Sequence, residues 1–337
     1  MGKTLLGIDM GYDSLKLALV ANGKVKKTAS VPMPLKLIKE GKAVSPQTMG
    51  ELIRSTVKQY GLGCRNAAVC FANESVFVRN ITVPQMTHDQ LMYNIPFEFK
   101  DYLTDEPKNY VYDYAVVSTN VMSEGDQPQK AMDLLAVAAP VSLIEETRET
   151  VRKAGMKLAV ASPTVSAYVN LIRRMPPNNR PDSGEYCILD LGYGAVRMYM
   201  FKGDVHQVTR VLELGLSGLD DTVAEAYGVD VRLAHTYFLS NYDNCQERQE
   251  CLGAYNNIAV ELSRALNFYR FSNQDSNLGD IWLCGGGAQC APLKRTLTEA
   301  LGMNVHDAEE LIYPEDKVEN CGSLIQAIGV AMDGTGA

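Results

Sequence analysis

"GIDMGYDSLK" occupies residues 7–16, and "LDLGYGAVRM" occupies residues 189–198. Each is a short apolar run that ends in Asp-x-Gly-Tyr and continues into a second apolar run. Two such runs joined by a glycine turn read as a β-hairpin. The same hairpin therefore opens two halves of one chain. A period this long is an internal duplication of a lobe, and not a short-period solenoid.

The flanking sequence repeats in outline as well. After strands at 3–9 and 15–21, "QTMGELIRSTVKQYGL" carries Met49, Leu52, Ile53, Val57 and Tyr60 at helical spacing and stops at Gly61. "NAAVCFANESVFVRNITVP" reads as two more strands. Residues 84–155 follow a different order. A helix opens after Thr87, with Gln90 three residues on as a capping box, and Pro96 bends or ends it. Strands at 110–118 and 132–139 flank the polar "STNVMSEGDQPQ", an expected exposed hairpin loop. "PVSLIEETRETVRKAG" is a helix that stops at Gly155. A helix in "TVSAYVNLIRRM" and the connector "PPNNRPDSG" follow. From residue 186 the strand–turn–strand–strand pattern restarts, with helices at 217–227, 231–241 and 254–272. "DIWLCGGGAQCAPLKRTLTEALG" is a strand, a glycine turn and a helix, and a last helix covers about 321–332.

The chain has 337 residues, 46% hydrophobic and 21% charged, which fits a globular protein of two lobes. Its net charge of −8 disfavours nucleic acid as the main partner, because phosphate contacts need a basic face. No run of 18 apolar residues offers a membrane span, and the first twenty residues, with Asp9 and Asp13, do not read as a signal peptide. Direct membrane insertion is therefore not expected. Of the eight cysteines none forms Cys-x-x-Cys, so reduced, mostly buried thiols in the cytoplasm are expected.

The repeated turns suggest a chemistry. Glycine lets the backbone approach a ligand closely, and successive amides in such a turn make a nest for an anion. In the first turn Asp9, Gly11, Ser14 and Lys16 are the candidate residues. In the second they are Asp190, Gly192 and Gly194, with Gly215 nearby in sequence. Gly285, Gly286 and Gly287 form a third turn between a strand and a helix, suited to a nucleoside and its first phosphate. Two such turns facing one another could hold a polyphosphate. Asp9 and Asp190 could hold Mg²⁺ through water, and Lys16 could add a point charge.

All three signals in this order resemble the actin/Hsp70/FtsA-like nucleotide fold. Within it, "LLGIDMGYDSLKLALV", "PLKLIKEGKAVSP", "VFVRNITVPQMTHDQLMYNIPFEFKDYL", "VYDYAVV" and "LLAVAAPVSLIEETRETVRKAGMKL" resemble the PilM family, the actin-like proteins of type IV pilus assembly, over nearly the whole chain. The resemblance implies an α/β two-lobe fold with duplicated βββαβαβα-type cores. Residues 1–83, 156–183 and 321–337 would form a 1A-like first core, and 84–155 a small α+β insert of the 1C type. Residues 184–215 and 273–320 would form a 2A-like second core, with 216–272 a 2B-like subdomain. It further implies a cytoplasmic scaffold that binds ATP with Mg²⁺ between its lobes. In a groove between 1A and 1C it would capture the N-terminal cytoplasmic segment of a PilN-type inner-membrane protein, with pilus motor ATPases as further partners.

Against the family pattern the nucleotide motifs are eroded. Tyr12 and Asp13 replace small or hydroxyl residues, and Asp13 repels phosphate. "YGAV" at 193–196 lacks hydroxyl donors, and Leu216 stands where a second glycine is usual. His235 and Phe238 replace the two charged nucleoside contacts. Ser162 stands where a water-polarising Glu would be, which predicts little hydrolysis. The reading is a scaffold with weak nucleotide binding. An ATP-dependent small-molecule kinase and an FtsA-like filament protein are the alternatives.

Among other residues, Glu261, Arg264 and Arg270 read as solvated charges in preference to a nucleoside floor. His88 and Asp89 read as exposed first-turn residues, and Trp282 as core. Tyr110, Tyr112 and Tyr114 share one strand face, where they either pack on the insert's helix or line the partner groove.

Overall fold

Strand β1 (Thr4–Met10) is buried from Leu5 to Asp9 because strands flank it on both sides. It pairs antiparallel with β2 (Ser14–Ala21), which pairs antiparallel with β3 (Lys24–Pro32). On its other side β1 runs parallel to β6 (Asn66–Phe71), and β6 parallel to β10 (Lys157–Pro163), so the sheet order is β10-β6-β1-β2-β3. Exposed Lys24, Lys26 and Lys27 lie on the outer strand, where charge discourages pairing with another chain. The computed structural model describes residues 4–34, 37–39, 42–124, 127–313 and 321–333.

Between β3 and β6 come a two-residue strand pair, β4 (Ile38–Lys39) with β5 (Lys42–Ala43), and helix α1 (Pro46–Tyr60). Gly61 closes α1 in the left-handed conformation, as expected from the sequence, while Ser45 caps its start by accepting from the Thr48 amide and Pro46 is its first residue. Helix α3 (Val141–Lys153) joins α1 on the sheet: Leu143 and Val151 share a core with Met49, Ile53, Leu6 and Ile8. Burial of each such side chain is worth about 1.5–3 kcal/mol.

The insert lies between β6 and α3. Its sheet is β7 (Phe77–Pro84), β9 (Gln127–Pro140) and β8 (Tyr110–Glu124), antiparallel in the order β7-β9-β8, with helix α2 (His88–Glu98) packed on it. The capping box is present: Thr87 Oγ1 accepts from the Gln90 amide, and Gln90 accepts from the Thr87 amide. Pro96 sits inside α2, which ends two residues later. The expected loop at 118–129 is instead a continuation of the two strands up to Glu124 and Gln127, with residues 125–126 outside the described residues. The insert drawn at 84–155 from the sequence also shifts. Strand β7 belongs to its sheet, and α3 belongs to the first core.

The second core repeats the first. Strands β11 (Glu185–Leu191), β12 (Val196–Lys202) and β13 (Val205–Leu212) are antiparallel neighbours, and β14 (Asp280–Cys284) and β15 (Asn304–Asp307) continue the sheet in parallel, giving β13-β12-β11-β14-β15. Helices α5 (Ser217–Tyr227), α6 (Val231–Ser240) and α7 (Gln249–Ser272) separate β13 from β14, and α8 (Ala291–Leu301) separates β14 from β15. Helix α7 starts five residues before the expected 254. Trp282 is fully buried on β14 and stacks on His306 at 4.7 Å. All eight cysteines are free thiols, and only Cys64 is not fully buried.

Two compact units result: 1–170 with 326–337, and 171–325. The division falls within α4 (Thr164–Arg174) and at the start of α9 (Ile325–Met332). Residues 334–337, included in the expected first core, lie outside the described residues.

Candidate functional site

The duplicated hairpins place equivalent residues at equivalent depths. Asp9 faces Lys16 across β1–β2, and Asp190 faces Arg197 across β11–β12. On the parallel side Asp9 neighbours Cys70, and Asp190 neighbours Cys284. Both carboxylates are nearly buried, at 8% and 6% exposure. Each meets a cation from its own hairpin: Lys16 Nζ lies 3.4 Å from Asp9 Oδ2, and an Arg197 guanidinium nitrogen lies 3.7 Å from Asp190 Oδ2. Lys16, expected to add a point charge for phosphates, also pairs with Asp9. Arg197 was missed, although it stands seven residues after Asp190 just as Lys16 stands seven after Asp9.

In the first turn the Gly11 amide donates to the Ser14 carbonyl at 3.1 Å, so Asp9, Gly11, Ser14 and Lys16 do come together. Tyr12 is exposed, and the Asp13 carbonyl accepts from the Met33 amide at the end of β3.

The second turn is held by the start of α5, by Asp220 and by two closely packed glycines. Leu216 and Ser217, at the start of α5, donate their amides to the Gly192 and Tyr193 carbonyls. Tyr193 donates its hydroxyl to Asp220 Oδ2 at 2.8 Å, and His235 Nδ1 meets the same oxygen at 2.8 Å. Asp220 is only 1% exposed, so its charge rests on these partners. Gly215 backs onto the turn: a Cβ there would lie 2.3 Å from the Tyr193 carbonyl oxygen and 2.6 Å from the Gly194 carbonyl carbon. Gly285, at φ +81°, comes so close that a Cβ would lie 2.5 Å from Asp190 Oδ1. Thus Asp190, Gly192, Gly194, Gly215 and Gly285 converge, with Gly286 and Gly287 beside them. Leu216 packs on that triplet, its methyl carbons 3.0 and 3.1 Å from where a Gly287 Cβ would be. The Leu that replaces a second glycine therefore fills space along the glycine turn.

The positions expected to touch a nucleoside are drawn inward. His235 is tied to Asp220, and Phe238 is a core residue at 5% exposure. Ser162 is buried on β10, level with Cys70 and hence with Asp9.

Resident Mg²⁺ does not fit these carboxylates. Each is nearly buried and already paired with a cation, at 3.4 Å for Asp9 and 3.7 Å for Asp190, so a divalent ion bound directly would have to compete with that cation for the same oxygens. Among the described residues no group of three His, Cys, Asp or Glu side chains is placed to hold a metal.

The insert offers a different surface. Tyr110 is buried under α2 with Phe99, Leu91 and Ile95, while Tyr112 and Tyr114 pack against that cluster. Tyr114 hydroxyl meets His88 Nδ1 at 2.9 Å, and Tyr112 donates to the Pro107 carbonyl. These tyrosines pack inside the insert. The exposed aromatics are others: Tyr93 at 72%, Phe97 at 62% and Tyr102 at 52%. Tyr93 and Phe97 rings lie 5.8 Å apart, and the Arg79 guanidinium sits 3.8 Å over Tyr102 while bonding the Glu98 carbonyl. Elsewhere, Glu261 and Arg264 pair with each other on the exposed side of α7, and Arg270 donates to the Leu278 carbonyl.

A sequence model of the family described as type IV pilus assembly protein PilM matches residues 7–332. Among solved structures the chain is similar to a "PilM-PilN type IV pilus biogenesis complex", at 23% identity and a TM-score of 0.81, with 99% of each chain covered. It is also similar to ethanolamine utilization protein EutJ from Carboxydothermus hydrogenoformans, at 13% identity and a TM-score of 0.62, covering 98% of this chain and 90% of that one. These likenesses establish the actin-like two-lobe fold expected from the repeated turns.

Proposed function

The chain belongs to the family of type IV pilus assembly protein PilM, and from that premise we propose that it is an actin-like scaffold for the N-terminal cytoplasmic segment of a PilN-type inner-membrane protein. The observation that carries this reading is the family match over 7–332, which spans the insert as well as both duplicated cores. It ranks the scaffold above the kinase and the FtsA-like filament. The insert supplies a surface suited to the task. Tyr93, Phe97 and Tyr102 are exposed aromatics on one small subdomain, and aromatics are strong anchors for a docked segment. No helix among the described residues is long and apolar enough to cross a membrane. In this reading the membrane is reached through the partner.

The duplicated turns support a subsidiary role as a weak adenine-nucleotide site. Asp190, Gly192, Gly194, Gly215 and Gly285 meet at one place in the second unit, with Gly286 and Gly287 beside them. Asp9, Gly11, Ser14 and Lys16 meet in the first. Any Mg²⁺ would arrive on the nucleotide's own phosphates, since Lys16 and Arg197 already neutralise Asp9 and Asp190.

Isothermal titration of the full chain with a peptide matching the first residues of the neighbouring PilN-type protein tests the main reading. Saturable binding in the micromolar range, absent with a scrambled peptide, is the expected result. No heat and no thermal shift with that peptide would sink the scaffold reading.

A further inference from the structure

We propose that Arg197 gives the second turn its own cation, so that this turn takes a phosphate-type anion without a divalent metal. The inference rests on the nucleotide half of the proposed function and assigns the charge chemistry of that site.

Three observations carry it. First, the guanidinium is placed under the turn itself: one nitrogen lies 3.7 Å from Asp190 Oδ2 and 3.5 Å from the Ala195 carbonyl, and 3.2 Å from where a Gly192 Cβ would be. It therefore stands beside the carboxylate that would otherwise hold the metal. Second, the turn is held in shape beforehand. Tyr193 is anchored to buried Asp220, and α5 donates two amides to the turn's carbonyls. A turn fixed this way pays little ordering entropy when it receives a ligand. Third, the two turns differ in charge. The first contains Asp9, Asp13 and Lys16, whereas the second contains Asp190 and Arg197, with Gly194 in the position matching Asp13. The second turn lacks the extra acid and carries a delocalised, permanently charged guanidinium, the side chain best matched to phosphate oxygens.

The test is calorimetric titration of the nucleotide-stripped full chain with ATP, once with Mg²⁺ and once with excess EDTA. The proposal expects affinities within about threefold of one another. In EDTA, Arg197→Gln should weaken binding by about tenfold or more, while Arg197→Lys should retain most of it. Should Arg197→Gln fail to fold, Asp190→Asn keeps the question decidable. With Arg197 no longer neutralised, this variant should bind ATP in EDTA more tightly, by several-fold. With Mg²⁺ present it should bind at least as tightly as wild type, whereas loss of a metal-holding carboxylate would weaken binding there. Binding seen only with Mg²⁺ overturns the inference and leaves the nucleotide reading standing. Binding in neither condition overturns both. Binding in EDTA that is unchanged in a folded Arg197→Gln variant overturns the assignment to Arg197.

Discussion

The hairpin turn at residues 11–14 and the one at 192–195 share register, depth and an ion pair, yet they are supported differently. The first has an exposed Tyr12 at its tip and an acid, Asp13, after it. The second has Tyr193 tied to buried Asp220, Gly215 pressed against its backbone and Gly285 pressed against Asp190. Duplication thus fixes where strands and charged pairs lie, while the surrounding residues hold each turn differently. Architecture has been kept in both halves, and in the second the turn is held by Tyr193, Gly215 and Gly285.

The largest test of that contrast is a single methyl group at each turn. Gly215→Ala would place its Cβ within 2.7 Å of three backbone atoms. It should cost roughly 4 kcal/mol of stability. Gly11→Ala, whose nearest contact is the Ser14 carbonyl at 3.0 Å, should cost about 1 kcal/mol. Urea titration of the two variants reads the difference, and equal losses would break the contrast.

Acid separates the halves next. His206 is buried on β13, with Nε2 against Thr209 Oγ1, and burial pushes its pKa down to about 4. The folded state therefore keeps it neutral where the unfolded chain, near 6.5, takes up a proton. Its contribution is complete above pH 6.5 and is lost as pH falls from there to about 4, amounting to about 3 kcal/mol. His206→Asn should flatten the stability of the second unit over that window, as measured by urea unfolding at a series of pH values. An unchanged slope would show that His206 does not set the acid sensitivity.

Smaller still is the loss of one hydroxyl. Tyr193→Phe removes a donor from buried Asp220 and should cost about 1–2 kcal/mol. Thermal unfolding of Tyr193→Phe reads the loss, and an unchanged midpoint would remove this bond from the second turn's support.

Much of this was legible in the chain because it rests on local chemistry. The Thr87–Gln90 box, the Gly61 stop of α1, and the repeated Asp-x-Gly-Tyr all announce themselves over a few residues. Asp190 and its glycines were legible for the same reason. Arg197 could have been found from its offset of seven, but an arginine on a strand has no turn signature. The insert's limits were hidden because β7 and α3 look like any strand and helix, and only long-range pairing assigns β7 to β9 and α3 to α1. Exposure of Tyr93 and Phe97 was hidden too, since apolar residues lie on both sides of α2 and periodicity does not say which side is covered.

In the proposed scaffold, partner binding resides on the insert and not in the duplicated turns. The most direct measurement compares two variants in the same peptide titration: Tyr93→Ala/Phe97→Ala, and Asp190→Ala. The aromatic pair should lose affinity by about tenfold or more, while Asp190→Ala should bind as wild type does. Undiminished binding by the aromatic double variant, with binding lost in Asp190→Ala, would contradict it.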